Sequence, residues 1–113
     1  MKILQAEVIS GEDYLDREIT YIGASDLMSD VLAFGKPGLL LLTGLSNAQS
    51  VRTANIIDST AIVYVRGKKP EQAGIDFARE KGIPLLSTKY MMFKACGLLF
   101  DQGLAGVSDL RKD

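Results

Sequence analysis

Apolar residues in this chain come in short blocks divided by polar turns, and the blocks alternate between strand-like and helix-like spacing. The clearest block is Gly38 to Gln49, GLLLLTGLSNAQ. A leucine run bounded by glycine, too short for an isolated helix, predicts a strand buried on both faces, as in the interior of a parallel sheet. Thr43, Gly44 and Leu45 turn it into a helix, and Ser46 with Gln49 has the spacing of a capping box. The resulting βα unit has its turn at the carboxyl edge of the sheet, where open α/β folds bind ligands.

The other blocks repeat this beat. Ile3 to Ile9 alternates imperfectly and predicts a short strand, ended by Ser10 to Asp13 and free to run antiparallel at an edge. Arg17 to Gly23, REITYIG, has the β-branched and aromatic density of a second strand. Ser25 or Asp26 then caps a helix with Leu27, Met28, Val31 and Leu32 on its inner face, stopped by the glycines and proline at 35–38. Asn47 to Ile57 forms the next helix, with Ala48, Val51 and Ala54 toward the sheet. Ala61 to Val65 is another buried strand. Pro70 suits a first helical position and Glu71 the amino-terminal dipole, with Ala73, Phe77 and Ala78 inward and Gly82 as the C-cap. Leu85 and Leu86 read as the last strand, and Ser87 or Thr88 caps a final helix from Lys89 to about Phe100. Strand starts near Ile19, Leu39, Ala61 and Pro84 lie roughly 20 residues apart, the length of a strand with its crossover helix and short loops. The fold class expected is α/β, a mostly parallel sheet of about five strands with helices on both faces.

The last helix breaks the pattern. Tyr90, Met91, Met92, Phe93, Ala95, Cys96, Leu98, Leu99 and Phe100 leave it few polar positions, an apolar arc wider than one sheet face covers. A homodimer through this helix explains the excess, with Met91, Met92, Phe93 and Leu99 at the interface. The alternative is a terminal helix deeply buried within its own domain.

Composition narrows the function classes. The 113 residues suffice for one domain with its own core, expected over 1–103 with a tail over 104–113. A formal net charge of −1 with interleaved signs gives no field toward polyanions, so nucleic acid is not an expected partner. The chain has no histidine, which removes histidine triads and most zinc sites. A single cysteine, Cys96, suits a reducing cytoplasm. The amino terminus turns acidic within a dozen residues and does not read as a signal peptide, and no apolar run approaches the roughly 20 residues of a membrane span.

In a parallel sheet every strand ends at one edge, so the turns at 23–26, 43–47, 66–69 and 87–89 should gather there. Some of these turns open helices whose free NH groups attract anions, and Arg66 to Lys69 is the basic cluster of the chain. Helix capping alone also accounts for the serines, threonine, asparagine and aspartate among them, and a basic loop is often merely solvated. Other motifs fail: GxxxxGK[ST] and GxGxxG are absent. Asp26 and Asp30 lack a third ligand for a metal, and Thr43 and Ser46 lack a base.

With these turns placed, the chain resembles a DRTGG domain, the small α/β module found beside CBS domains in some pyrophosphatases, within bacterial phosphotransacetylases and as short stand-alone proteins. The resemblance runs through ITYIGASDLMSDVLAF, LLLLTGLSN and GIPLLSTKYMMF. Leu27 stands where the family has arginine and Leu45 where it has a second glycine, so no role of that arginine carries over. The fold implied is that of the amino-terminal domain of HPr kinase/phosphorylase and, more remotely, of the Mur ligases. The phosphate loop of the kinase belongs to another domain, so kinase activity is not implied. Residues and resemblance together predict a non-catalytic, homodimeric regulatory module without metal or cofactor. A small anionic metabolite or nucleotide is expected at Asp26, Thr43, Gly44, Ser46, Asn47, Arg66 and Thr88. The alternative is a protein-interaction adaptor that uses the last helix and binds no small molecule.

Overall fold

The computed structural model describes residues 3–15 and 18–103. The expected tail at 104–113 lies outside them. Strands β1 (Glu7–Ser10), β2 (Tyr21–Ala24), β3 (Leu39–Thr43), β4 (Ala61–Tyr64) and β5 (Leu85–Ser87) form one sheet in the order β1-β5-β4-β3-β2. Neighbours from β2 to β5 are parallel, and β1 lies antiparallel at the β5 edge. The helices are α1 (Met28–Phe34), α2 (Ala48–Ile56), α3 (Gln72–Lys81) and α4 (Met92–Asp101). This is the expected α/β class.

Strand order explains where the helices lie. From β2 to β5 each new strand is added on the same side of the last, so crossovers of one hand put α1, α2 and α3 on the same face. That face is packed by Met28, Val31, Val51, Ala54 and Ala78 against Leu39, Leu41, Ile62, Tyr64 and Leu85. Leu40, Leu42, Ala61, Val63, Val65 and Leu86 point the other way, to Leu4 and to Ala95 and Leu99 of α4. The leucine run therefore serves two cores at once, alternating residue by residue as a strand must. Burying each of its leucines contributes about 1.5–3 kcal/mol.

Several boundaries depart from expectation. The first strand begins at Glu7, not Ile3, because the chain turns at residues 3–5 and buries Leu4 under the second face. β2 begins at Tyr21. Only Met28 and Val31 of the α1 stripe are inward; Leu27 precedes the helix and Leu32 points to solvent, since seven residues cover too little sheet for a wider arc. Pro70 lies two positions ahead of α3, whose N-cap is Glu71, and Gly74 replaces Ala73 on its inner face, where it packs against Val51 and Ala48 of α2. Gly82 closes α3 in the left-handed conformation (φ 71°), as a glycine C-cap should. α2 ends in paired bonds, Ser59 N to Ala54 O and Asp58 N to Asn55 O, with Asp58 left-handed. α4 starts at Met92, not Lys89. No helix among the described residues is long and apolar enough to cross a membrane.

Candidate functional site

Thr43, Tyr64 and Ser87 end their strands in register, and Ala24 ends β2 one position short, opposite Leu42, so the loops after them share one edge. Most of the expected side-chain caps are put to other uses there. Ser46 makes no cap: the N-cap of α2 is Asn47, itself without a side-chain cap bond, and the NH of Ala48 donates to Glu71 Oε1 at 3.1 Å. Glu71 N in turn donates to Ser46 O at 3.0 Å, so the turns before α2 and α3 are tied reciprocally. Ser87 Oγ donates to Lys68 O and Thr88 Oγ1 to Leu4 O, each at 2.6 Å, which pins the last strand to flanking loops instead of opening α4. Ser25 makes a local turn with Leu27 N at 3.0 Å.

Asp26 is the centre of the edge. Its Oδ1 accepts from Gly44 N at 2.6 Å and from Thr43 Oγ1 at 3.3 Å, and its Oδ2 from Arg66 Nη1 at 3.2 Å. Gly44 follows the last ladder residue of β3 and is buried; its NH would otherwise lack a partner at a depth where that is costly. The Asp26 carboxyl is held below the usual aspartate range, first by the Gly44 NH and then by Arg66 and Thr43, against an opposing effect of burial. A Cβ at Gly44 would fall onto the Arg66 guanidinium, 2.6 Å from Nη1, so glycine is what lets this arm lie across the turn. Arg66 is itself left-handed (φ 61°), and its NH donates to Tyr90 O at 2.8 Å.

The expected ligand residues are thus gathered on one edge, but not as one open site. Asp26, Thr43, Gly44 and Arg66 form a clasp joining the loops after β2, β3 and β4, with its donors turned on an internal carboxylate. Ser46 and Asn47 lie next to it, and Asn47 Oδ1 is buried without a hydrogen-bond partner. Thr88 is on the far side of the Arg66 loop, where it helps line a cleft of about 260 Å3 between that loop, β5 and the segment ahead of β1. Lys69 and Glu7 form an ion pair at this cleft. Sequence reasoning placed Lys69 and Lys89 in edge turns without choosing them as ligand residues, and it missed Gln5, Glu7, Glu71 and Tyr90 at this edge. Their partners are far away in the chain, and only the antiparallel placement of β1 brings residues 4–7 here.

Of the expected interface residues, Met91 and Phe93 are 60% and 92% exposed, while Met92 is half-buried. Leu99 belongs to the core under the sheet and presents nothing at the surface. Cys96 is half-buried with its thiol pushed up by burial, so it is poorly nucleophilic.

No protein-family model and no curated protein matches this chain. Among solved structures it is similar to the CBS and DRTGG domains of the regulatory region of Clostridium perfringens pyrophosphatase, complexed with its activator diadenosine tetraphosphate. The TM-score is 0.74 at 19% identity, over 99% of this chain and 48% of that one, so the chain spans about half the length of the structure it matches. The likeness is one of fold, and it fits the DRTGG domain that the sequence resembles.

Proposed function

We propose that this chain is a non-catalytic regulatory module of the cytoplasm that pairs with a second copy and responds to a small anionic metabolite or nucleotide at the carboxyl edge of its sheet. The observation that carries the reading is the loop at 66–69. It holds the basic cluster, touches the Asp26 clasp through Arg66 on one side and the cleft through Gly67 and Lys69 on the other, and so feels whatever binds at the edge. The fold is that of a regulatory region which, in the pyrophosphatase, was crystallised with a nucleotide activator. Within the clasp, Thr43, Gly44 and Arg66 already serve Asp26, so an anion binding there must displace that carboxylate, with Ser46 and Asn47 as its neighbours. Pairing is supported by α4, on which Phe93, Gly97 and Phe100 share one outward face, with both phenylalanines mostly exposed. A ligand regulates such a pair only by the difference in its affinity for the two states.

A thermal-shift screen of nucleotides and phosphorylated metabolites tests the ligand half. A true ligand at 100 times its dissociation constant stabilises by about 2.7 kcal/mol; flat melting curves across the panel refute sensing. The second reading, an adaptor without a small-molecule ligand, is favoured by the exposure of Phe93 alone. It predicts a flat screen together with a partner that Phe93→Glu abolishes.

A further inference from the structure

We infer that the cleft beside β1 is where the edge takes its ligand, and that the ligand is a small phosphate-bearing metabolite with free hydroxyl groups. The inference rests on the sensing reading above and moves the sensed molecule away from the Asp26 clasp.

The lining chemistry sets the class. The hydroxyl hydrogens of Ser87 and Thr88 are committed to the carbonyls of Lys68 and Leu4, and Thr88 Oγ1 already accepts from Tyr90 N at 3.3 Å, so toward the cleft Ser87 Oγ is left as an acceptor only. Glu7, paired with Lys69, is a further acceptor, so a ligand that carries donors can use both. Opposite in character are Lys69, paired with Glu7, and Lys89, which has no ion pair among the described residues. Two ammonium groups against one carboxylate leave a net positive cleft, and a phosphate of charge near −1.5 to −2 suits it better than a carboxylate does. Donor-rich and dianionic together describe a sugar phosphate or the ribose phosphate part of a nucleotide. Size agrees: about 260 Å3 lies just below the roughly 300–1,000 Å3 of pockets for drug-sized ligands, too small to enclose a dinucleoside polyphosphate.

Backbone strain marks the same place. Gln5 (φ 50°) lines the cleft, and Arg66 (φ 61°) adjoins its Gly67 wall; both hold left-handed conformations that non-glycine residues avoid. The remaining left-handed non-glycine among the described residues, Asp58, has the ordinary explanation of a helix end. A phosphate on Lys69 competes with Glu7, which loosens the link between the 66–69 loop and the edge strand. The same loop carries Arg66 into the clasp, so occupancy of the cleft reaches the loops after β2 and β3.

The test is an amide-shift NMR titration of the full chain with ribose 5-phosphate, adenosine monophosphate and inorganic phosphate. Saturable shifts are expected at Gln5, Gly67, Thr88 and Tyr90 with the two organic phosphates. Lys89→Glu should weaken them at least about tenfold, the factor lost with one charge-assisted contact. Lys36→Glu, the same charge change at a surface site before β3, should leave the affinity within about twofold. Equal weakening by both variants would reduce the effect to overall charge and overturn the inference. So would saturable shifts centred on Ser25, Gly44 and Asn47, which leave sensing intact but place it at the clasp. No saturable shift at about 10 mM of any probe, above the usual range of metabolite levels, overturns the cleft assignment; sensing itself falls only if the thermal-shift panel is flat as well.

Discussion

Replacing Asp26 by alanine removes one acceptor from three donors in different loops, and the structure says how much that costs. The bond from Gly44 N is short, charge-assisted and made by a buried backbone group. Hydrogen bonds to charged groups are worth about 1.5–3 kcal/mol when shielded. The Asp26 side chain is 50% exposed and that of Arg66 34%, so water recovers part of this and the ion pair adds only about 0.5 kcal/mol. The expected loss is about 1–2 kcal/mol at pH 7, or about 5–10 °C in Tm for a domain of this size. Because the folded carboxyl sits below the ordinary aspartate value of about 3.9, its stabilisation is complete above that value and fades as pH falls through the depressed one. Urea unfolding of wild type and Asp26→Ala should therefore show a gap at pH 7 that narrows as the pH is lowered below about 4. High salt should remove only the ion-pair share, since screening acts weakly on the buried NH contact. A gap under about 0.3 kcal/mol at pH 7, or one that persists unchanged to pH 2, would refute the clasp as a stabilising element.

Gly44→Ala forces the Arg66 arm aside without touching the Gly44 NH, so it should cost about 0.5–1 kcal/mol and become nearly silent in an Arg66→Ala background, which a double-mutant cycle measures. Tyr64 is buried with its hydroxyl 2.8 Å from Ser50 Oγ and its phenol pushed up to about 12, so ultraviolet titration should show it un-ionised through pH 11; Tyr64→Phe should cost only about 1 kcal/mol in denaturant, since Ser50 keeps its bond to Asn47 O. Phe93→Glu should change stability by no more than about 0.5 kcal/mol while converting a dimer to monomer in light scattering; a variant that unfolds instead would place Phe93 in the core.

The sheet was readable because its strands carry strong local signals. Four leucines that face two cores, and β-branched runs at a steady interval, leave little choice of fold. The order of strands did not follow, since a right-handed crossover can add the next strand on either side of the sheet; only the structure shows β3, β4 and β5 each added on the same side of the strand before. Caps were misread for a physical reason: hydroxyl and carboxylate side chains bond a backbone NH, and hydroxyls a backbone carbonyl, equally well in their own turn or across space. Asp26 reaches Gly44, Glu71 reaches Ala48, and Thr88 reaches Leu4, and no local pattern distinguishes these from a helix N-cap. Likewise the wide apolar arc of α4 mixed two populations. Ala95 and Leu99 pack under the sheet while Phe93 and Phe100 face out, a division fixed by the rotation of the helix and by which sheet face lacks other cover. The cleft could not be read at all, because it depends on residues 4–7 folding back beside β5.

In the proposed reading the ligand is coupled to the state of assembly. Sedimentation velocity over a range of protein concentrations, with and without nucleotides and sugar phosphates, measures that coupling directly. The account predicts a monomer–dimer equilibrium whose constant shifts in the presence of at least one phosphate-bearing compound and ceases to respond in Lys89→Glu. A single monomeric species at every concentration, indifferent to all of them, would contradict it.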